Sequence, residues 1–436
     1  MKMQNHRASG RHIGSIYPFG HDLPLLDYGT YIGDNIFGNP FLFDPFELYR
    51  KQLITNPNMV ILGQIGRGKS AFIKSFVARQ IAFGRTAWII DPKGEYQSLC
   101  KAFGVTPITL KKNGPIRINP ISEESLFKKE GQSWRGSDSG IVVAIIEARL
   151  KRELSPLEMT VIQLVIRYAK DNEPNKFSID RLAKLFINFQ PAMAYELSAD
   201  FELLYEKSRQ MAYCFNLVVN SELFGLFSTD RSKRNTDIQA FTQTPIVVID
   251  LSEFFNSTSL DIVMACTISW MQSFIANKKV NNKWYFVIDE AWAVLNNFAT
   301  RNWLQRLWKL SRAYGLSNIA VFHRLSDLSH VNFSGDNFES GFSDSSQGLI
   351  SDSETKIIFS QPQSELELLK QTLKLNSTEL EILPKLTRAH ALWKVSEKSF
   401  LIRHRISEFE KDIVDTDQQL KSDISFNSPS YLKAMN

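Results

Sequence analysis

The sequence predicts an α/β fold: a mostly parallel sheet built around a P-loop, with an all-helical insertion. Three observations carry that expectation. A short apolar run, Met59-Val60-Ile61-Leu62, leads into Gly63-Gln64-Ile65-Gly66-Arg67-Gly68-Lys69-Ser70, which fits G-x-x-x-x-G-K-[ST], and a helical stretch follows from Ala71 to about Ala82. Apolar strands alternate with helices before residue 137 and again after residue 240. Between those points helical periodicity prevails and strand signals are few.

Residues 1–50 are rich in Gly, Pro, Asp and aromatics, as in Tyr17-Pro18-Phe19-Gly20 and Gly38-Asn39-Pro40-Phe41. They read as a lead-in packed on the core, with room for one hairpin. Residues 51–136 form the first part of the core. After the P-loop helix comes the strand Thr86-Ala87-Trp88-Ile89-Ile90, ending at Asp91-Pro92-Lys93-Gly94-Glu95-Tyr96. Two strands joined by a helix make a βαβ unit and hence parallel pairing. Two short extended pieces follow, at Thr106-Pro107-Ile108-Thr109-Leu110 and Pro115-Ile116-Arg117-Ile118-Asn119-Pro120.

Residues 137–240 carry the helical insertion, with helices read at Val142 to Leu150, Pro156 to Asp171, Ile179 to Phe189 and Tyr195 to Leu204. Ser155-Pro156-Leu157-Glu158 is a helix start with Pro at the first helical position. Residues 241–420 form the second core part. Pro245 to Leu251 reads as a strand, Leu260 to Ala276 as a helix, and Trp284 to Ile288 as a buried strand tipped by Asp289 and Glu290. Trp303 to Tyr314 reads as a helix and Asn318 to Phe322 as a strand. Ser334 to Ser346 reads as a mobile loop. Further strands are expected at Thr355 to Phe359, Ala391 to Val395 and Phe400 to His404, the last two as a hairpin. Residues 421–436 read as a polar, disordered tail.

Composition narrows the class. With 436 residues the chain can hold two or three domains and a sizeable core. A net charge of +5 points only weakly to nucleic acid or an anionic surface; a mixed, solvated surface is the simpler reading. Cys100, Cys214 and Cys266 are far apart and odd in number, which excludes a disulfide framework and a C-x-x-C metal pair. A reducing, intracellular setting follows. No apolar leader opens the chain, and no window of about 18 apolar residues is free of charge. Membrane association is therefore expected through partners.

The P-loop residues bring specific chemistry. Its glycines let backbone N–H groups face phosphate oxygens where a side chain would obstruct, and the helix N-terminus adds partial positive charge. Gly63, Gln64, Ile65, Gly66, Arg67, Gly68, Lys69, Ser70 and Ala71 are the expected nucleotide-binding residues. Lys69 supplies a point charge for the β- and γ-phosphates, and the Ser70 hydroxyl a ligand for Mg²⁺. A glycine-rich turn without a ligand is the bland alternative.

A second acid must come from a neighbouring strand. Parallel strands bring their carboxyl ends to one edge, where ligands bind. Asp289 is assigned to the Mg²⁺ shell, mostly through water, and Glu290 to the general base that polarises the attacking water. Two acids capping a strand and a following helix are the alternative. Asp91, Lys93 and Glu95 read equally as support for water or metal and as a tight turn. His323 ends a strand where it can sense a γ-phosphate, or it is a satisfied loop histidine. Arg312 reads as a finger reaching a neighbouring subunit's nucleotide, or as a helix C-terminal cation answering the macrodipole. Arg388, Arg403 and Arg405 are weaker finger candidates. Trp292 reads as packing the nucleotide pocket or, by default, the core, and its role stays unassigned.

The order of motifs resembles a known family. The P-loop is followed by Trp-Ile-Ile-Asp-Pro-Lys-Gly-Glu-Tyr, Ile-Arg-Ile-Asn-Pro, a helical insertion, Val-Val-Ile-Asp-Leu, and Phe-Val-Ile-Asp-Glu-Ala-Trp. Over about residues 25–420 this is similar to the conjugative-transfer ATPases of type IV secretion systems (TraC/VirB type), within the HerA–FtsK group of motors. The resemblance implies a RecA-like P-loop NTPase core, a homo-hexamer, ATP and Mg²⁺ as cofactors, and hydrolysis between subunits. Lys69, Ser70, Asp289 and Glu290 inherit the nucleotide roles, and Arg312 matches a basic position before the sensor strand. The implied partners are the membrane-channel components of a conjugation apparatus, with DNA as a further candidate and the chain at the cytoplasmic face of the membrane. Two departures stand out. The family usually ends the sensor strand in Thr-Gln, where this chain has Phe322-His323, and it usually carries a large N-terminal docking domain, whereas this chain begins almost at the motor. A DNA translocase outside secretion is the alternative, with Lys111-Lys112, Lys128-Lys129, Arg231 to Arg234 and Lys278-Lys279 as basic candidates. A nucleotide-dependent scaffold is a third reading, against which Glu290 argues.

Overall fold

Short runs of Val, Ile, Phe and Trp bounded by turn residues favour strands buried on both faces, the composition a parallel sheet needs. The computed structural model describes residues 25–121, 137–174, 177–194, 201–217, 223, 225–226, 244–277, 283–295, 315–326 and 344–414, and within 300–311 positions 300–301, 304–305, 308–309 and 311. In chain order the strands are β1 (Thr30–Asn35), β2 (Pro40–Phe43), β3 (Met59–Leu62), β4 (Thr86–Asp91), β5 (Ile108–Thr109), β6 (Ile246–Asp250), β7 (Trp284–Ile288), β8 (Leu316–Phe322), β9 (Thr355–Phe359), β10 (His390–Val395) and β11 (Lys398–His404). They join one sheet in the order β2-β1-β11-β10-β9-β3-β8-β7-β4-β6-β5.

The half from β9 to β5 is parallel throughout. The other half, from β10 to β2, is antiparallel. The β10–β11 hairpin therefore extends the parallel core, and the β1–β2 hairpin, read from sequence only as room for one, continues it at the far edge.

Side chains alternate across the sheet with the strand period of two. Val60, Leu62, Trp88, Ile90, Phe286, Ile288, Ala320 and Phe322 face one core, which includes the helix Leu260–Asn277 and the helical segments Ser137–Leu150, Pro156–Asn172, Ile179–Ile187 and Phe201–Leu217. Met59, Ile61, Ala87, Ile89, Tyr285, Val287, Ile319 and Val321 face the other, beneath Phe72, Ile73, Phe76 and Val77 of the P-loop helix Lys69–Ala82. Burial of this kind stabilises by roughly 25 cal/mol per Å² of apolar surface and fixes the register, because a one-residue slip would turn each strand inside out.

The regular elements described in the insertion are all helices. Ser155 caps Pro156–Asn172: its hydroxyl accepts the Glu158 N–H, and Glu158 Oε2 accepts the Ser155 N–H at 2.9 Å. The loop expected over Ser334 to Ser346 is corrected at its end, since Asp344–Ser351 is a helix; the polar Asp344-Ser345-Ser346 opens it, and Leu349 and Ile350 bury in the core. Most of the helix expected over 303–314, the segment 195–200 and the tail 421–436 lie outside the described residues.

Candidate nucleotide site

The P-loop leaves β3 at the carboxyl edge and is fixed on both sides. Gly63 N–H donates to the Phe322 carbonyl at 3.3 Å on β8, and Gln64 N–H to the Ser360 carbonyl at 3.2 Å beyond β9. Gly68 turns the chain at φ +105°, a left-handed conformation that favours glycine, and its carbonyl opens the helix by accepting the Phe72 N–H at 2.9 Å. Lys69 Nζ donates back to the carbonyls of Gly63 and, at 3.0 Å, Gln64. Its ammonium therefore lies inside the loop that the sequence assigns to phosphate. Ser70 and Ala71 follow in the first helical turn. A turn from the other half of the sheet closes the loop from outside, with Ala389 N–H donating to the Arg67 carbonyl at 3.2 Å.

One strand, β8, separates β3 from β7. Two strand spacings put the acidic tip about 10 Å from the P-loop strand, at the same edge, a separation a metal-bound triphosphate can bridge. β7 stops at Ile288, and Asp289 N–H donates to the Ile90 carbonyl at 3.2 Å. Glu290 has φ +51°, so the strand alternation that would turn it away from Asp289 is broken. Its N–H donates to Asp289 Oδ1 at 3.0 Å, and Ala291 N–H ties the turn to the Val321 carbonyl at 3.0 Å.

Asp91 organises the neighbouring turn. Its Oδ1 accepts the N–H groups of Lys93 at 3.2 Å and Gly94 at 2.8 Å, and its Oδ2 accepts that of Tyr96 at 3.0 Å. The tight-turn reading of Asp91-Pro92-Lys93-Gly94 thus describes its backbone and the Asp91 carboxylate, while the Lys93 side chain reaches the site. Tyr96 Oη donates to Asp289 Oδ2 at 3.0 Å. Lys93 Nζ lies 2.5 Å from Glu290 Oε1, and His323 Nε2 lies 2.8 Å from the same oxygen. Trp292 Nε1 donates to Glu290 Oε2. His323 and Arg324 also line a cleft of about 450 Å³ together with Gln64, Ile65, Gly66 and Arg67.

Burial sets the charges. It pushes Asp289 up to about 7, helped by the nearby carboxylates of Glu290, Asp91 and Glu95 and opposed by the Tyr96 hydroxyl. Burial raises Asp91 to about 6, helped by the nearby Asp250 carboxylate, against the pull of the backbone N–H groups of Tyr96, Glu95 and Gly94. It also acts upward on Glu290, but His323 and Lys93 outweigh it and hold that carboxyl at about 2. Lys69 is lowered to about 8 by burial, although Asp289 and Glu290 favour its charge.

These residues fit a divalent cation brought in with phosphate. Among the described residues no cluster of three or more His, Cys, Asp or Glu side chains could hold a metal by itself. Mg²⁺ takes one or two carboxylates and completes its shell with water and phosphate oxygens, and a buried carboxylate pushed towards neutrality by other acids is relieved by such a charge. Asp289 and the Ser70 hydroxyl are the donors the sequence assigns to it.

Arg312 lies outside the described residues, as do the basic clusters at 128–129, 231–234 and 278–279. Lys111 lies 3.5 Å from Glu253, and Arg405 donates to Asp34 at 2.6 Å on β1, so neither faces the cleft's acids. Arg388 is exposed in the turn against the P-loop. Trp292, left unassigned by the sequence, is a direct partner of Glu290. Gln361 was not singled out either; its amide donates to the His323 carbonyl at 3.4 Å. The spacing of an Asp-Glu-Ala-Trp tetrapeptide held the signal for Trp292, but a turn of the backbone was needed to bring indole and carboxylate together.

A P-loop in the strand order described, with an acid-tipped strand one place removed, defines a P-loop NTPase fold of the RecA-like class. Residues 29–160 match the family model of the TraG P-loop domain. The chain is 22% identical over 333 residues to protein TraC of Escherichia coli (strain K12), covering 74% of this chain and 35% of that protein, so it spans about a third of that relative's length. Among solved structures, VirB4 of Thermoanaerobacter pseudethanolicus superposes with a TM-score of 0.70 at 18% identity over 90% of this chain and all of that one. The plasmid coupling protein TrwB in complex with ADP and Mg²⁺ superposes with a TM-score of 0.56 at 12% identity, covering 92% and 93% of the two chains. Together these findings support the resemblance to conjugative-transfer ATPases of type IV secretion systems. No helix of the described residues is long and apolar enough to cross a membrane.

Proposed function

We propose that the chain is a Mg²⁺-dependent ATPase that energises transfer in a conjugative type IV secretion apparatus. The observation that carries this reading is the placement of the Lys69 loop and the Asp289–Glu290 tip at one sheet edge with a single strand between them. Lys69 and the loop N–H groups bind the β- and γ-phosphates, and Ser70 and Asp289 hold the cation, which offsets phosphate charge. Glu290 orients a water whose oxygen bonds to the γ-phosphorus as the bond to the ADP oxygen breaks, and it takes the proton released. His323, at the tip of the strand between them, contacts Glu290 and faces the P-loop cleft, the position of a γ-phosphate sensor. TrwB has been solved with ADP and Mg²⁺, which supports the same ligands here. The reading includes a ring of six copies, with Arg312 completing a neighbour's site, docked on channel components at the cytoplasmic membrane face.

ATP turnover in the wild type, Lys69→Ala and Glu290→Gln proteins tests the site. Each variant is expected to lose at least roughly a hundredfold in turnover, with nucleotide still bound by Glu290→Gln. Turnover unchanged in both variants overturns the assignment.

A further inference from the structure

Three protein groups converge on the carboxylate of Glu290. Lys93 and His323 converge on Oε1 at 2.5 and 2.8 Å, and the Trp292 indole takes Oε2. A carboxylate offers about four acceptor positions, so three are filled before any water arrives. Lys93 Nζ and His323 Nε2 lie 3.3 Å apart, both beside the same carboxylate oxygen. The Glu290 side chain is 5% exposed while that of Lys93 is 25% exposed. The His323 side chain is 24% exposed, so both are accessible, and of the two Lys93 carries the longer, more flexible side chain. Its backbone is pinned by Asp91 Oδ1, so its side chain can swing without moving the turn.

We propose that Lys93 is a positioning residue that parks Glu290 and releases it when a nucleoside triphosphate presents its γ-phosphate. This deepens the ATPase reading and rests on it. Lys93 exchanges one anion for another: its ammonium leaves Glu290 Oε1 for a γ-phosphate oxygen, and the freed position on Glu290 takes the attacking water. A diphosphate has no oxygen at that place, so it leaves the ion pair intact. The device ties the base to the presence of the third phosphate. Trp292 reports the change, because its indole N–H is bonded to the carboxylate that moves.

The test uses the full chain labelled with fluorotryptophan, with the Trp292 fluorine NMR signal assigned by Trp292→Phe. In the wild type the signal is expected to move on adding Mg²⁺ with a non-hydrolysable ATP analogue and to stay in place with Mg-ADP. Lys93→Met is expected to bind ADP within about twofold of wild type but the triphosphate analogue roughly tenfold more weakly, and its Trp292 signal no longer separates the two nucleotides. Lys93→Arg restores part of the preference. A Lys93→Met protein that keeps the wild-type preference and signal shift overturns the proposal, as does one that loses both nucleotides equally. Retention of both nucleotides by the wild type and their loss in Lys69→Ala uphold the nucleotide site even if the Lys93 assignment falls. Failure of the wild type to bind either nucleotide overturns both readings.

Discussion

Tyr96 and Asp289 are joined by a 3.0 Å hydrogen bond from phenol to carboxylate, linking the turn after β4 to the tip of β7. Tyr96 is fully buried, and burial together with the Asp289 charge pushes its hydroxyl well above the usual phenol range, so it stays a donor. The bond holds in place an acid that burial would otherwise drive further towards neutrality.

Tyr96→Phe removes that donor while keeping the ring. A buried acceptor that loses its partner costs about 1–3 kcal/mol. The denaturation midpoint in urea is expected to fall accordingly with an unchanged slope. An unchanged midpoint would show that Asp289 does not depend on Tyr96.

The P-loop helix is anchored far from the nucleotide by a buried polar cluster. Arg79 donates to both oxygens of Glu410, at 2.6 and 2.7 Å, and Ser75 Oγ donates to Glu410 at 2.7 Å. His404 Nε2 lies 3.3 Å from Ser75 Oγ. Burial acts upward on Glu410, but Arg79, the Ser407 N–H and Ser75 outweigh it and hold the carboxyl at about 2. Burial, with the Arg79 charge, lowers His404 to about 4. The folded state thus binds fewer protons than the unfolded one between pH 6.5 and 4 at His404, and between pH 4.5 and 2 at Glu410. Stability therefore falls as pH falls through these windows. His404→Gln is expected to flatten the upper window, removing on the order of 2–3 kcal/mol of pH dependence. Melting temperatures at pH 7 and pH 5 (about the middle of the window) check this; equal slopes in the two proteins would refute it.

The parallel core was legible because its signals are local. Strands such as Trp284 to Ile288 are apolar on both faces, and the P-loop tolerates few substitutes at its glycines. The position of Asp289 followed from the rule that parallel strands share a ligand edge. What stayed hidden depends on distant partners. Lys93 and Glu290 are far apart in sequence, so nothing local declares that they meet. The contact of Ala389 with Arg67 is likewise made only when the β10 hairpin folds against β9. The left-handed Glu290 had no marker either, since glycine and asparagine are the residues that announce that geometry.

The helix start at Ser155 offers a local test of the insertion. The Ser155 hydroxyl accepts the Glu158 N–H, and Arg152 Nη2 meets Glu158 Oε1 at 2.8 Å, closing the cap with charge. Ser155→Ala is expected to cost about 0.5–2 kcal/mol, and Ser155→Asp much less. Calorimetry on the two variants distinguishes loss of the cap from loss of the hydroxyl alone.

Gly63 fits where no side chain can. A Cβ there would sit 2.5 Å from Cβ of Phe359, the last residue of β9, and 3.4 Å from Cδ of Lys69. Phe359 is itself buried, packed into the core beneath the P-loop helix with its ring tilted against that of Phe72 at a centroid distance of 6.1 Å. Cβ of Phe359 cannot move without shifting β9. Gly63→Ala is therefore expected to destabilise the fold by about 1–3 kcal/mol and to push the loop away from β9. The carbonyl that receives the Lys69 ammonium belongs to Gly63, so the same shift disturbs the nucleotide contacts. Nucleotide affinity should fall at temperatures where the variant is still folded. A variant that melts early yet binds nucleotide as the wild type does would confine the role of Gly63 to packing.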